Sequence, residues 1–374
     1  MSSPQSWGPP GPGQQPTTWG GQPSSGSGFG STGFGQPGAG GQAQPYWQHR
    51  PSTAPAGRPV ATPQPGGGRP SGGSSKRNPL SIVLITMIGL VVAGIAVLIV
   101  VALANAGGET RYVNEDYTPP PPDLAPSALP QPTTMGEAES WTSDNTLYGQ
   151  TYPTPVACDL QPIDLDAVSD AELEEHMNVL MGCLTGAWVI PLEAVGQEMP
   201  RPSVTVYQGG TTVNTPCGEL PDMNAVYCSR NQQVYYSNNL QDAIPELKQS
   251  RYGAELVMAH EYAHAVQGRS GILNARLALM NAVSTEEEAY RINRRLEAQA
   301  DCFAGLFIRS ASPALGIEQA DLTSFQAVFR ALGSSEPGKT HPMSESRTYW
   351  SQVGMSTDDI GACNTFTAPP ETVE

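Results

Sequence analysis

Acidic residues are absent from the first hundred positions of this 374-residue chain; the first is Glu109. Cysteine is absent there too, appearing first at Cys158, and no two cysteines stand in Cys-x-x-Cys spacing. That spacing marks a cysteine-held zinc site, so its absence excludes the cysteines as a metal cage. Residues 1–75 are a Gly/Pro/Ser/Gln-rich tract with few aliphatic side chains. Such a stretch cannot bury enough apolar surface to offset its chain entropy, which excludes a packed core and predicts disorder. Histidine is scarce, with five in the chain, so each can be weighed as a ligand. Later in the chain it is positive charge that runs short. Five of the 19 basic residues (Arg50, Arg58, Arg69, Lys76, Arg77) lie in the first hundred positions, leaving 14 against all 35 acidic ones, a net −21. Nucleic acid and an anionic membrane surface would both be repelled, which excludes them as partners of this later region.

What is present divides the chain. Leu80–Ala104 is a near-continuous apolar run without a charge, long enough to cross a lipid bilayer as one helix. It starts too late and runs too long for a signal peptide, and no convincing small-x-small cleavage site follows. Basic residues precede the run, whereas Glu109, Arg111, Glu115 and Asp116 follow it. The positive-inside rule then keeps the N-terminus in the cytoplasm and puts the rest outside, as a single-pass protein. All six cysteines (Cys158, Cys183, Cys217, Cys228, Cys302, Cys363) fall on the outer side, where an oxidising compartment favours disulfides. The expected organisation is a cytoplasmic tail at 1–77 whose partner is unknown, a transmembrane helix at 78–105 and a Pro-rich stalk at 106–155. A domain at 156–366 and a C-terminal tail at 367–374 complete it. Thr118-Pro-Pro-Pro-Pro-Asp123 gives the stalk its semi-rigid, polyproline-like character.

Within 156–366, Ser169 and Glu172 form a capping box before an apolar stripe at Leu173, Met177, Leu180, Leu184 and Trp188. Ser203–Tyr207 alternates as a strand, and Ala225–Cys228 with Gln233–Tyr236 predicts a hairpin. Helical patterns occupy 240–250, 253–267, 273–282, 285–310, 317–332 and 344–354. The fold class is α+β, mainly helical, with a small sheet before the helix that carries residues 260–264.

Residues 260–264 read His-Glu-Tyr-Ala-His. Two histidines four apart on a helix lie one turn above each other, so both imidazoles can grip one ion. Glu261 points toward that ion without binding it, where a general base belongs. A catalytic zinc site needs a third ligand and an open position. A continuation as HxxGxxH is excluded, because Gln267 replaces the glycine and Ser270 the histidine. A carboxylate is the stronger candidate. Ser284 with Glu287 makes a capping box, and Glu286–Glu288 sit at the positive end of the dipole of the helix that follows. In that helix Glu297 and Asp301 are four apart and face the same way. Glu297 can bind the ion while Asp301 accepts the free ring N–H of a ligand histidine. His49 lies across the membrane, and His176 sits among acids as an ordinary surface or half-buried histidine.

His260–Gln267, as HExxHxxQ, and Leu296–Gly305, as Leu-Glu-Ala-Gln-Ala-Asp-Cys-Phe-Ala-Gly, resemble the two metal helices of the putative neutral zinc metallopeptidases of bacteria. Ala298 stands where that family has leucine. Cys217-Gly before Tyr227-Cys228, His341-Pro-Met-Ser-Glu-Ser-Arg347 and Cys363-Asn-Thr-Phe366 resemble further family pieces, and the likeness runs over roughly residues 200–366. The wider similarity is to gluzincin peptidases. This resemblance implies a zincin-like fold and one zinc ion on His260, His264 and Glu297, with Glu261 as base. It also implies an edge strand that pairs with an extended substrate and a bacterial source, so that the membrane read from Leu80–Ala104 would be the bacterial cell membrane. Cys217–Cys228 matches the family's paired cysteines. Cys158–Cys183 and Cys302–Cys363 are then the simplest completion, other pairings staying open.

The leading functional expectation is peptide-bond hydrolysis by a zinc-bound water, with Glu261 removing a proton and returning it to the leaving amine. His341 is the candidate second donor for the oxyanion, ahead of Tyr290 and Tyr262. The substrate would be a peptide or protein, cell-envelope proteins included. Two other readings stay open: a cell-surface binding module whose zinc site is structural or inactive, and a zinc amidase acting on cell-wall peptide.

Overall fold

The structure is a computed structural model and describes residues 110–335 and 340–374. The tail at 1–77 and the transmembrane helix expected at 78–105 lie outside the described residues. Among the described residues no helix is long and apolar enough to cross a membrane.

The elements run α1 (Met135–Ser143), α2 (Asp170–Glu193), β1 (Val204–Tyr207), β2 (Ala225–Cys228), β3 (Gln233–Ser237), α3 (Gly253–Arg269), α4 (Ile272–Ala282), α5 (Glu286–Leu315), α6 (Gln319–Ala331) and α7 (Ser344–Ser356). The fold is mixed α+β, about half helical, with its small sheet immediately before α3. The strand order is β1-β3-β2, with β1 parallel to β3 and β2 antiparallel to it. β3 is central, as its Val-Tyr-Tyr sequence suits. The outer edge of β1 is closed by α2: Val204 N–H donates to Asn178 Oδ1 at 3.0 Å and Val206 N–H to Glu174 Oε2 at 2.9 Å. Further strand pairing is blocked there. The outer edge of β2 faces α3 instead.

Local chemistry explains the helix ends. Ser169 and Glu172 cap α2 as expected, and Leu173, Met177, Leu180, Leu184 and Trp188 are all buried. The capping box of α5 is Thr285 with Glu288, one residue beyond the expected Ser284 and Glu287. Glu287 is engaged elsewhere, accepting from Arg294 Nη2 at 2.8 Å. The helix expected over 240–250 is two single turns, Leu240–Ala243 and Glu246–Gln249, because Pro245 disfavours helical backbone at Ile244.

Two expected tethers are part of the folded body. Residues 110–155, read from sequence as a stalk, lie across it. Val113 N–H donates to the Pro155 carbonyl, Asn114 bonds both polar groups of Ala157, and α1 packs on α4. Between them, the carbonyls of Pro120, Asp123, Ser127 and Pro130 accept hydrogen bonds from Arg201, Gln233, Gln232 and Asn274 at 2.7–2.9 Å. Proline leaves a carbonyl acceptor and no donor, so a body rich in side-chain donors can hold a proline-rich strap that no sheet could. Residues 367–374, expected as a tail, are likewise docked: Trp350 Nε1 donates to the Thr372 carbonyl at 2.7 Å and Val373 is buried.

The core centres on α5. Tyr152 meets Trp188 edge to face with centroids 4.7 Å apart, and Phe303 packs on Trp188 at a tilt with centroids 5.0 Å apart. All six cysteines are paired, as Cys158–Cys183, Cys217–Cys228 and Cys302–Cys363; the last bridge fastens α5 to the C-terminal segment. α7 lies so close to α5 that a Cβ on Gly354 would overlap the Cys302 carbonyl, and one on Gly305 would overlap the carbonyl of Ser351. We expect Gly354→Val to force these helices apart and cost about 3 kcal/mol, read as a lowered Tm; an unchanged Tm would contradict the close packing.

Candidate metal centre

α3 and α5 bring the two sequence motifs together. Glu297 Oε2 lies 3.3 Å from His260 Nε2, 3.4 Å from His264 Nε2 and 3.5 Å from His341 Nε2. Donors 2.0–2.1 Å from one tetrahedral ion stand roughly 3.3 Å apart, so these spacings fit a shared zinc-sized ion. Glu297 Oε2 is buried and makes no well-formed hydrogen bond. Burying such an atom unpartnered is costly, and a cation at this point would remove the cost. Ligand atoms of His260, Glu297 and His341 lie within 4.8 Å of one another, and His264 joins them at Glu297. One imidazole more than the expected trio therefore reaches the carboxylate.

The second ring nitrogens differ in what they meet. His260 Nδ1 lies 2.8 Å from Asp301 Oδ1, and His264 Nδ1 lies 2.8 Å from Gln267 Oε1. Both partners are acceptors, so in the neutral ring each histidine carries its proton on Nδ1, which leaves Nε2 bare for a metal. His341 Nδ1 instead meets the Thr340 hydroxyl at 2.9 Å, which can donate as well as accept. His341 is also the exposed member, its side chain 50% accessible against 5% for His260.

Behind the ligands lie two networks. Asp301, wholly buried, receives Arg347 Nε at 2.9 Å and Nη2 at 2.8 Å in addition to His260. Gln267 Nε2 donates to the Leu296 carbonyl and to Gln299 Oε1, and Gln299 Nε2 reaches Tyr148 Oη and the Cys363 carbonyl. Sequence reasoning missed Arg347, Gln267 and Gln299 as supports. Gln267 carried the only local signal, its place three residues beyond His264. Arg347 stands 46 residues from Asp301, and no helical period links them.

Glu261 is buried in the same pocket, and its Oε2 accepts the Tyr227 N–H of β2 at 2.7 Å. Burial pushes its carboxyl up, and the nearby His264 and His260 offset this only in part. Burial would also raise Glu297 and Asp301, but histidine charges around the first and Arg347 with His260 around the second hold both below their usual range. His176 pairs with Glu255 at 2.6 Å instead. Tyr262 Oη is spent on Thr185, and Tyr290 is partnered by Glu286.

For His260 burial favours the neutral ring, but Asp301 and Glu297 outweigh it and raise the pKa to about 9 in the metal-free protein. A pKa above the unfolded value contributes stability fully present below about 6.5 and lost as pH climbs through about 9. In chelator the melting temperature is therefore expected to fall across pH 6.5–9, a loss of about 3 kcal/mol. A flat profile would remove this account of the His260–Asp301 pair.

Residues 145–366 match a family described as "Putative neutral zinc metallopeptidase". Among curated proteins, "Uncharacterized protein YpfJ" of Escherichia coli is 26% identical over 215 residues, covering 53% of this chain and 73% of that protein. "Uncharacterized protein Rv2575" of Mycobacterium tuberculosis is 28% identical over 193 residues, covering 45% and 63%. No solved structure matches.

Proposed function

The chain belongs to the putative neutral zinc metallopeptidase family, and on that footing we propose that it hydrolyses peptide bonds at the α3–α5 cluster. The observation that carries this reading is Glu261: a buried carboxylate under the influence of the His260 and His264 imidazoles, with one oxygen tied to the β2 amide of Tyr227. His260, His264 and Glu297 would hold the zinc, and zinc there supplies a Lewis acid that polarises a carbonyl and acidifies water. Glu261, its proton affinity raised by burial, takes a proton from the attacking water and passes it to the leaving amine. Asp301 and Gln267 keep the ligand histidines in the tautomer that binds metal. With its Nδ1 accepting from Thr340, His341 carries an N–H on Nε2 and donates to the oxygen that gains charge. The outer edge of β2 gives an extended substrate main-chain partners, as in a zincin-like site.

In this reading residues 80–104 anchor the enzyme in the bacterial membrane with its folded part outside. Substrates are then peptides or proteins of the cell envelope. Three disulfides in the folded part support an oxidising compartment.

A second reading, a binding module with a structural site, draws on His341 as a fourth protein ligand, which would close the position that water needs. Zinc content and turnover of a denatured, fluorescently labelled protein separate the two. The full chain should bind zinc and cleave that protein in a chelator-sensitive way. Glu261→Gln should retain zinc and lose activity by about 10²–10⁴-fold. Stoichiometric zinc without cleavage by the wild type would favour the binding module.

A further inference from the structure

The turn of α5 just before Glu297 holds three pieces of the C-terminal chain. Asn293 Nδ2 donates to the Thr340 carbonyl at 2.6 Å. Arg294 Nη2 pairs with Glu374 Oε2 at 2.6 Å. Arg295 Nη1 donates to the carbonyls of Thr365 and Ala368. The main-chain oxygen of Glu374 in turn accepts the Met343 N–H at 2.7 Å. The four residues Thr340–Met343 are thus gripped at both ends, and His341 lies between the grips.

Asn293 and Arg294 are each 1% exposed. Burying a guanidinium is costly unless it is paired; Arg294 Nη2 is met by Glu287 at 2.8 Å and by Glu374 at 2.6 Å, and of the two it is Glu374 that ties the C-terminal chain to α5. Asn293 and Arg294 also precede Glu297 by four and three residues, which puts all three on one face of α5. The helical face that presents the carboxylate therefore also fixes the loop whose imidazole stands 3.5 Å from it.

We propose that Asn293 and the Arg294–Glu374 pair are positioning residues that hold His341 at the mouth of the metal cluster. The docked C-terminal residues are then part of the working site, although they touch neither metal nor substrate. This inference rests on the peptidase reading in one respect: the contribution of His341 is to turnover. Displacing a donor by about 1 Å can cost on the order of a hundredfold in rate.

Arg294 is too deeply buried for its loss to be read cleanly, so the test uses Asn293→Ala and Glu374→Ala in the full chain. Each should lower kcat about ten- to a hundredfold, with KM and zinc content unchanged. Glu374→Gln, which keeps an oxygen for Arg294, should recover much of the loss. In a His341→Ala background neither alanine substitution should cost anything further, because the route of its effect is gone. An activity-independent measurement accompanies these: hydrogen exchange of the Thr340, His341 and Met343 amides in metal-free protein, expected to quicken in both alanine variants. Unchanged exchange, or losses that simply add to that of His341→Ala, would overturn the proposal. A wild type that binds zinc and cleaves nothing would instead sink the peptidase reading, while exchange still reports on the clamp.

Discussion

A single carboxylate with no solvent exposure, Asp301, ties the molecule together. It is the point where α5 meets α3 through His260 and α7 through Arg347. Buried charges are tolerable only when paired and hydrogen-bonded, and Asp301 meets that condition solely while all three helices keep their places. The contacts elsewhere read as means to that end. Gly305 and Gly354 let α7 approach α5 closely enough for Arg347 to reach. The Cys302–Cys363 bridge starts from the residue next to Asp301. Geometry at the metal-facing nitrogen of His260 is thereby set by packing many residues away.

The two edges of the small sheet show how one architecture separates protection from use. On β1, α2 spends Asn178 and Glu174 on closing the strand to outside partners. On β2, the body spends Glu261 on one amide only. The difference follows from which helix lies alongside. α2 is a capped, amphipathic support, whereas α3 carries the candidate ligands His260 and His264 and keeps its polar side chains for the pocket.

Much of this was legible in the sequence, for identifiable reasons. The 260–264 pattern and the Glu297–Asp301 pair are local, repeating at helical spacing, and such periodicity survives without knowledge of the fold. Strand positions were readable from alternation. Arg347 was not, because nothing near it in the chain refers to Asp301; only the crossing of α5 and α7 joins them. The convergence of His341 on Glu297 depends likewise on tertiary placement. The stalk at 106–155 was misjudged for a different reason. Proline-rich composition reports on what a segment cannot donate, and is silent about which side chains elsewhere are ready to donate to it.

That strap has a consequence for how the molecule opens. Its carbonyls are read at steps of three or four residues, close to the three-residue repeat of an extended polyproline-like chain, by Gln232 on the β2–β3 turn, Gln233 at the start of β3, Asn274 on α4 and Arg201. A turn between two short strands would ordinarily fray early. Here it cannot loosen without breaking bonds to a segment anchored on both flanks, so opening at this end becomes cooperative instead of residue by residue. The hairpin whose outer strand borders the metal pocket gains rigidity from a ribbon of chain with no secondary structure of its own.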